Sequence, residues 1–286
     1  MGIGFYLQFG FAQHALEAAF LVAVSCGLIG PFVITRTMSF AVHGTSELAF
    51  TGAVGGLLVA DNPLAGALVG ALVVAALIGL LGQRAAERDS TIGVILAAGL
   101  GLGVFMLGYY HGYASEALNI LFGNIFGISS GQILVLGVIA VVVAVVLTVI
   151  RRPLMFASVD PDVARARGVP TGVLGIVFLF VLAITVTEAA QIVGTLLVLS
   201  LAITPAAAQR LSANPFVVTV LSVVMAVLAA DGGLLLSFQF PTVKPSVLIV
   251  AISFAFYVVA RLIGPAIASR RRDRFTVPDL AELTHG

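Results

Sequence analysis

Long apolar runs without a single charge restrict this chain more than any other feature. Residues 130–150, for example, hold no Asp, Glu, Lys or Arg. A helix needs ~20 such residues to cross a bilayer core roughly 30 Å thick, where lipid offers backbone groups no hydrogen-bond partner. Comparable runs fall at about 15–35, 38–60, 63–83, 91–111, 171–188, 190–209, 215–238 and 245–268. They are continuous rather than alternating with period two, so they read as helices and not as barrel strands. The expectation is an all-α, polytopic transmembrane helix bundle of about nine spans (eight if one run does not cross), with residues 1–286 as a single domain. The runs at 38–60 and 190–209 are the ones expected to be broken or tilted. Turn chemistry marks the breaks: Asp61-Asn62-Pro63, Arg88-Asp89-Ser90, Asn214-Pro215 and Pro241 through Pro245. Only 9% of residues are charged, against about 25% in a soluble domain, which excludes a cytosolic enzyme. A net charge of +1 offers no basic surface to nucleic acid, and the single cysteine, Cys26, has no intrachain disulfide partner.

Basic residues orient the bundle. Arg36, Arg84, Arg88, Arg151, Arg152, Arg165, Arg167 and Arg210 lie between alternate runs or at their ends, and Arg261, Arg270–Arg272 and Arg274 close the chain. With nine spans every arginine falls on one side and Lys244 alone on the other. The positive-inside rule makes the arginine side cytoplasmic, so residues 151–170 form a cytoplasmic loop, residues 270–286 a cytoplasmic basic tail, and the N-terminus lies outside. No Lys or Arg precedes the first run, which therefore reads as a retained span rather than a signal peptide.

Glycine pairs at four-residue spacing, Gly66–Gly70 and Gly99–Gly103, permit close helix approach in lipid. Gly99-Leu100-Gly101-Leu102-Gly103 follows no strand and is not a nucleotide fingerprint. Lys244 has no Gly-x-x-x-x-Gly before it. No phosphate-binding loop is present, so ATP hydrolysis by that route is not expected of this chain.

The second run carries two ionisable residues, His43 and Glu47, where each costs roughly 2.5–3.5 kcal/mol to insert and normally faces a bundle interior or cavity. Their i, i+4 spacing stacks them on one helical face, which Ser39 and Thr51 extend in both directions. They lie roughly 8–14 Å along the helix, at 1.5 Å per residue. Imidazole and carboxylate one turn apart suit a divalent first-row metal. They equally suit a proton relay, or a hydrogen bond that merely satisfies both groups, and the pair alone leaves the three open. Glu188 and Asp231 are expected near the outer face as interfacial caps or loop hydrogen bonds. His111 and Glu116 lie in an outer segment, 111–129, that reads as re-entrant or interfacial, and His14 and His285 read as solvated.

In the loop 151–170, Asp160-Pro161-Asp162 supplies an N-cap, an N1 proline and an acidic first turn. Gly168 and Pro170 supply a C-cap and a stop. A surface helix of about seven residues, roughly 10 Å long, is expected, with Ala164 in its interior.

These motifs, in this order, resemble the metal-ion permease family of ABC importers, the zinc/manganese-type membrane subunits, over roughly residues 10–268. Gly30-Pro31-Phe32-Val33-Ile34-Thr35-Arg36-Thr37-Met38 is similar to that family's first-span ending. Glu87 through Gly93 resembles its charged loop opening the fourth span, and Leu121-Phe122-Gly123-Asn124-Ile125 its outer-segment signature. Val159 through Pro170 resembles the loop that docks on the ATPase, and Ile203-Thr204-Pro205-Ala206-Ala207-Ala208 its proline-broken late span. The family commonly has Asp and, four residues later, His as metal ligands in the second span. Here His43 stands where the Asp usually sits and Glu47 where the His sits.

The resemblance implies a type II ABC importer-like permease in a bacterial plasma membrane, working as a homodimer within lipid. It would move zinc or manganese past His43 and Glu47 and hold no permanent cofactor. A separate cytoplasmic ATPase would engage the loop shaped by Asp160, Pro161, Ala164 and Gly168, and an extracytoplasmic solute-binding protein would deliver the metal. A permease for a metal chelate is one alternative. An ion-coupled secondary carrier is another, although it lacks an obvious inverted repeat. An intramembrane enzyme is poorly supported, with no His-Glu-x-x-His and only four histidines.

Overall fold

A computed structural model describes residues 3–6, 8–81, 85–110, 123–194, 198–240 and 242–275. Each apolar run forms one helix. A short α1 (Ile3–Tyr6) precedes α2 (Gly10–Thr35), α3 (Ser39–Ala60), α4 (Pro63–Leu81) and α5 (Ala85–Leu107). A 3-10 turn at Ile125–Gly127 leads into α6 (Ser130–Val159) and the loop helix α7 (Pro161–Ala166). Then come α8 (Thr171–Val193), α9 (Val198–Leu211), α10 (Pro215–Ser237) and α11 (Pro245–Phe275). Among the described residues, seven of these helices are long and apolar enough to cross a membrane. The two long helices outside that set are α3, whose polar stripe lowers its hydropathy, and the 14-residue α9. They correspond to the runs 38–60 and 190–209, of which the first is nonetheless a single unbroken helix of 22 residues.

The breaks work through local chemistry. Asp61 turns left-handed (φ 52°), and Asn62 accepts a hydrogen bond from the Ala65 amide, opening α4 at Pro63. Asn214 accepts from the Phe216 amide ahead of α10. Ser129 and Gln132 form a reciprocal capping box at α6.

α2 and α8 form the centre, each with 67% of its apolar stretch buried, and α4, α5, α6 and α11 surround them. α3 and α4 pack as a hairpin with almost no side chain between them. A Cβ on Gly66 would stand 2.6 Å from the Gly56 Cα, and one on Gly70 2.7 Å from the Gly52 Cα. The Gly66–Gly70 spacing is thus a helix contact. Gly99 and Gly103 do the same for α5, seating on Leu48 and Thr51 of α3.

One end of the bundle is tied by arginine. The Arg36 Nη1 donates to Ser158 Oγ on α6 (3.3 Å), and its guanidinium lies 5.4 Å from the Phe178 ring centre on α8. Arg151 stands over Phe216 at the start of α10, and Arg210 over Tyr257 on α11. Gln209 Nε2 donates to Pro31 O (3.1 Å) and Thr35 Oγ1 (3.3 Å), joining α9 to the end of α2. These contacts gather described arginines at a common end, as alternating spans require.

Candidate functional site

α3 brings the polar stripe together. His43 Nε2 and Glu47 Oε1 are 3.5 Å apart, and their side chains are 37% and 16% exposed. The flank of α3 that carries them is open, whereas Ala41, Val42, Thr45, Ser46 and Leu48 are buried. Ser46 donates to His43 O (2.8 Å), which commits that hydroxyl to the helix backbone. The Phe40 ring lies 6.3 Å from the His43 ring and borders the pair. One turn outward, Thr51 Oγ1 donates to Gly99 O (2.9 Å), so α5 closes over that end of the stripe. The pair therefore stands at an open surface between Phe40 and the α3–α5 contact.

Among the described residues no three His, Cys, Asp or Glu side chains come together. One chain thus presents two protein ligands at the stripe, an imidazole nitrogen and a carboxylate. Structural zinc takes four ligands and catalytic zinc three plus water. Transition metals in general are bound by such borderline and hard donors, with geometry deciding among them. The two donors at hand are half of a tetrahedral set.

The loop helix forms as its caps dictate. Asp160 Oδ1 accepts from the Val163 amide (3.0 Å), Pro161 takes the first helical position, and Gly168 adopts φ +79°. The Val169 amide closes back on Ala164 O (3.0 Å). Ala164 is fully buried against the bundle, while Val163 is 46% exposed and Asp162, Arg165 and Arg167 point outward. Asp160, Pro161 and Gly168 shape the helix and Ala164 seats it. The exposed residues, Asp162, Val163, Arg165 and Arg167, lie within the loop run the motif reading identified but were not among its coupling residues Asp160, Pro161, Ala164 and Gly168. Their signal was available: in a helix seated through Ala164, the neighbouring positions 162, 163, 165 and 167 face outward.

A family model described as the ABC 3 transport family matches residues 8–264. The chain belongs to that family. Among relatives of this ABC 3 family chain, the manganese transport system membrane protein MntC of Halalkalibacterium halodurans is 29% identical over 252 residues, covering 87% of this chain and 86% of that protein. The high-affinity zinc uptake system membrane protein ZnuB of Haemophilus influenzae is 26% identical over 244 residues, covering 85% and 94%. A solved structure, PsaBC from Streptococcus pneumoniae in complex with Fab, contains a chain that superposes with a TM-score of 0.82 at 25% identity, over 93% of this chain and 96% of that one. The fold is thus that of an ABC-type transport membrane subunit.

Not every sequence expectation survives. Glu188 is no interfacial cap. It is 1% exposed within α8, and neither carboxylate oxygen has a hydrogen-bond partner. The nearby Ser25 hydroxyl is committed to Leu21 O (3.1 Å). Asp231 lies inside α10, half-buried, with Oδ1 likewise unpartnered, so it is no loop residue. The Leu121–Phe122 half of the outer signature, His111 and Glu116, and the tail beyond residue 275 with His285 lie outside the described residues, as do the side chains of Glu87, Arg88 and Pro205. Sequence reasoning also missed the Gln209 tie to Pro31 and Thr35. A lone amide in an apolar helix is itself the signal, because such a group must find a partner.

Proposed function

We propose that this chain is the membrane permease of an ABC importer for a divalent transition metal, zinc or manganese, with His43 and Glu47 of two copies lining the ion's path. The observation that carries this reading is the placement of the His43–Glu47 pair on the partly open flank of an otherwise largely apolar helix. Ionisable groups there are retained for pathways and pairing and do not face lipid. A second copy related by a two-fold axis would bring another imidazole and another carboxylate to the same ion. Four such ligands suit tetrahedral zinc, or manganese with added water. The names of the relatives agree in cargo class.

The chain's own residues divide the work. His43 and Glu47 would exchange the ion's water for nitrogen and oxygen donors part-way across. Phe40 on one side and the Thr51–Gly99 contact on the other would limit access to them. The helix α7 would carry force from a separate cytoplasmic ATPase into α6 and α8 through the buried Ala164. On this reading the arginine end, the loop 151–170 and the C-terminus would lie in the cytoplasm of a bacterial cell. A solute-binding protein would hand the metal to the opposite face. Glu47→Gln keeps the shape and removes the ligand charge. In liposomes with the ATPase it is expected to leave ATP hydrolysis in place and reduce metal uptake to background. Parental uptake by that variant would show that the ion path lies elsewhere.

A further inference from the structure

Two arginines stand side by side near the end of α6, and the importer reading gives them no task. At 1.5 Å per residue, Arg151 lies about 32 Å along α6 from Ser130, which matches a hydrocarbon core roughly 30 Å thick. The helix then runs on for about 12 Å to Val159. Arg151 and Arg152 therefore sit where α6 leaves the bilayer, not out on the loop. α10 starts at the same level, because Arg151 reaches across to it: the guanidinium stands 5.5 Å from the centre of the Phe216 ring. Between the two helices lies a groove of about 500 Å³. Arg151, Arg152 and Phe156 form one wall, and Asn214, Pro215 and Phe216 form the other. Among the described residues the lining holds no Asp or Glu, and neither arginine forms an ion pair. Arg165 on the loop helix, by contrast, has Asp162 at 3.5 Å. The next acid along the chain from the two arginines, Asp160, is taken up as the cap of α7. The 23-residue α10 adds the positive end of its dipole. The groove gathers positive charge and the protein supplies no anion to meet it.

Its walls continue into the hydrocarbon. Val145 and Val149 share a face of α6 with Arg152 and Phe156, at the three- and four-residue steps of one helical stripe, and both are exposed. On α10, Val220 and Val224 follow Phe216 at four-residue spacing and are exposed as well. Phe156 and Phe216, 40% and 59% exposed, flank the arginines. An apolar trough headed by two guanidiniums at the interface has the form of a phospholipid, with acyl chains along the valines and a phosphate at the arginines. The guanidinium fork matches phosphate oxygens in pairs, and basic pockets between spans on the cytoplasmic side hold anionic headgroups. A soluble partner could meet the charge but would leave the valines bare.

We infer that the groove between Arg151 and Arg152 of α6 and the start of α10 at Asn214, Pro215 and Phe216 binds the phosphate of an anionic phospholipid. The site depends on where these two helices leave the bilayer and on no part of the metal path. The bound lipid fills the gap between α6 and α10 with its headgroup charge neutralised by the two arginines.

The chain has no tryptophan, so Val149→Trp places a single reporter about one turn from Arg152. The full-length protein is reconstituted in phosphatidylcholine vesicles, and quenching by brominated phosphatidylglycerol is compared with quenching by brominated phosphatidylcholine. The anionic lipid is expected to be favoured about tenfold at this position, against no more than about twofold at Val69→Trp on the exposed side of α4. Arg151→Gln together with Arg152→Gln is expected to abolish the preference. Arg152→Glu, an exposed change that leaves the Arg151–Phe216 contact in place, is expected to turn it against the anionic lipid. Equal quenching by the two lipids at Val149→Trp overturns the site, as does a preference that survives either arginine variant. An excess of inorganic phosphate is expected to leave the preference unchanged, and its loss would make the ligand a soluble anion instead. Bound ATPase, read against the parental complex as background, is likewise expected to leave it unchanged. Displacement of the lipid by the ATPase would make the groove a protein contact and overturn the assignment. No arm measures uptake, so the outcome is independent of Glu47→Gln and the metal path.

Discussion

A proline at position 164 tests whether the loop helix transmits force. The helix has six residues, well below the ~12–15 at which an isolated helix becomes even marginally stable in water. It persists through the Asp160 cap, worth about 1 kcal/mol, through the seat of Ala164, and through a few main-chain bonds. Among these are Ala164 N to Asp160 O and Arg167 N to Val163 O, each 3.0 Å. Ala164→Pro deletes the first bond and drives the ring against the Asp160 carbonyl, at a cost of about 3 kcal/mol. That exceeds the cap and, at a factor of ten per 1.4 kcal/mol, lowers the helical population roughly 100-fold. The spans keep their own core, so normal insertion and an unchanged melting profile of the bundle are expected. Pull-down of the ATPase and ATP-driven uptake in liposomes are expected to fall to background. Because Ala164 is itself buried, Val163→Asp accompanies it. That exposed change leaves seat and backbone intact and is expected to give the same loss of ATPase retention. A stably inserted Ala164→Pro protein that binds the ATPase and transports at the parental rate refutes the coupling role.

Orientation can be checked with Asp162→Cys, whose position is 91% exposed. In a Cys26→Ser background, a membrane-impermeant maleimide added outside intact cells is expected to label it only after permeabilisation, and efficient labelling from outside would reverse the topology. Gly66→Val forces a side chain into the α3–α4 backbone contact and is expected to cost roughly 1–3 kcal/mol by overpacking. Thermal unfolding in detergent would read this as a lower midpoint, and an unchanged midpoint would mean that the hairpin is looser than described. Glu188→Met removes a buried carboxyl without hydrogen-bond partners and is expected to raise stability by roughly 1–3 kcal/mol. A lower midpoint would show that the carboxyl has a favourable partner in the membrane.

The spans and their ends were legible from the chain because hydrocarbon makes a local demand. It requires ~20 apolar residues per crossing and internal backbone bonding, and caps such as Asn62, Asn214 and Asp160 act within three residues of themselves. The polar stripe was legible for the same reason, since an i, i+4 pair shares a face in any helix. Azimuth was not. Most of these spans are apolar on every side, so periodicity does not tell which side turns inward. Only packing decided that Gly99 and Gly103 meet α3 while Gly93 and Gly101 face out, that Glu188 is enclosed, and that Ala164 points in and Val163 out. Helix rotation is fixed by backbones meeting at distances of a few ångströms, as at Gly56 and Gly66, between residues separated by a turn or by most of the chain. The sequence alone therefore determined where the long apolar helices run and that His43 and Glu47 share one helix face. The tertiary structure decided the direction each of those residues faces, because that direction depends on contacts between helices and not within them.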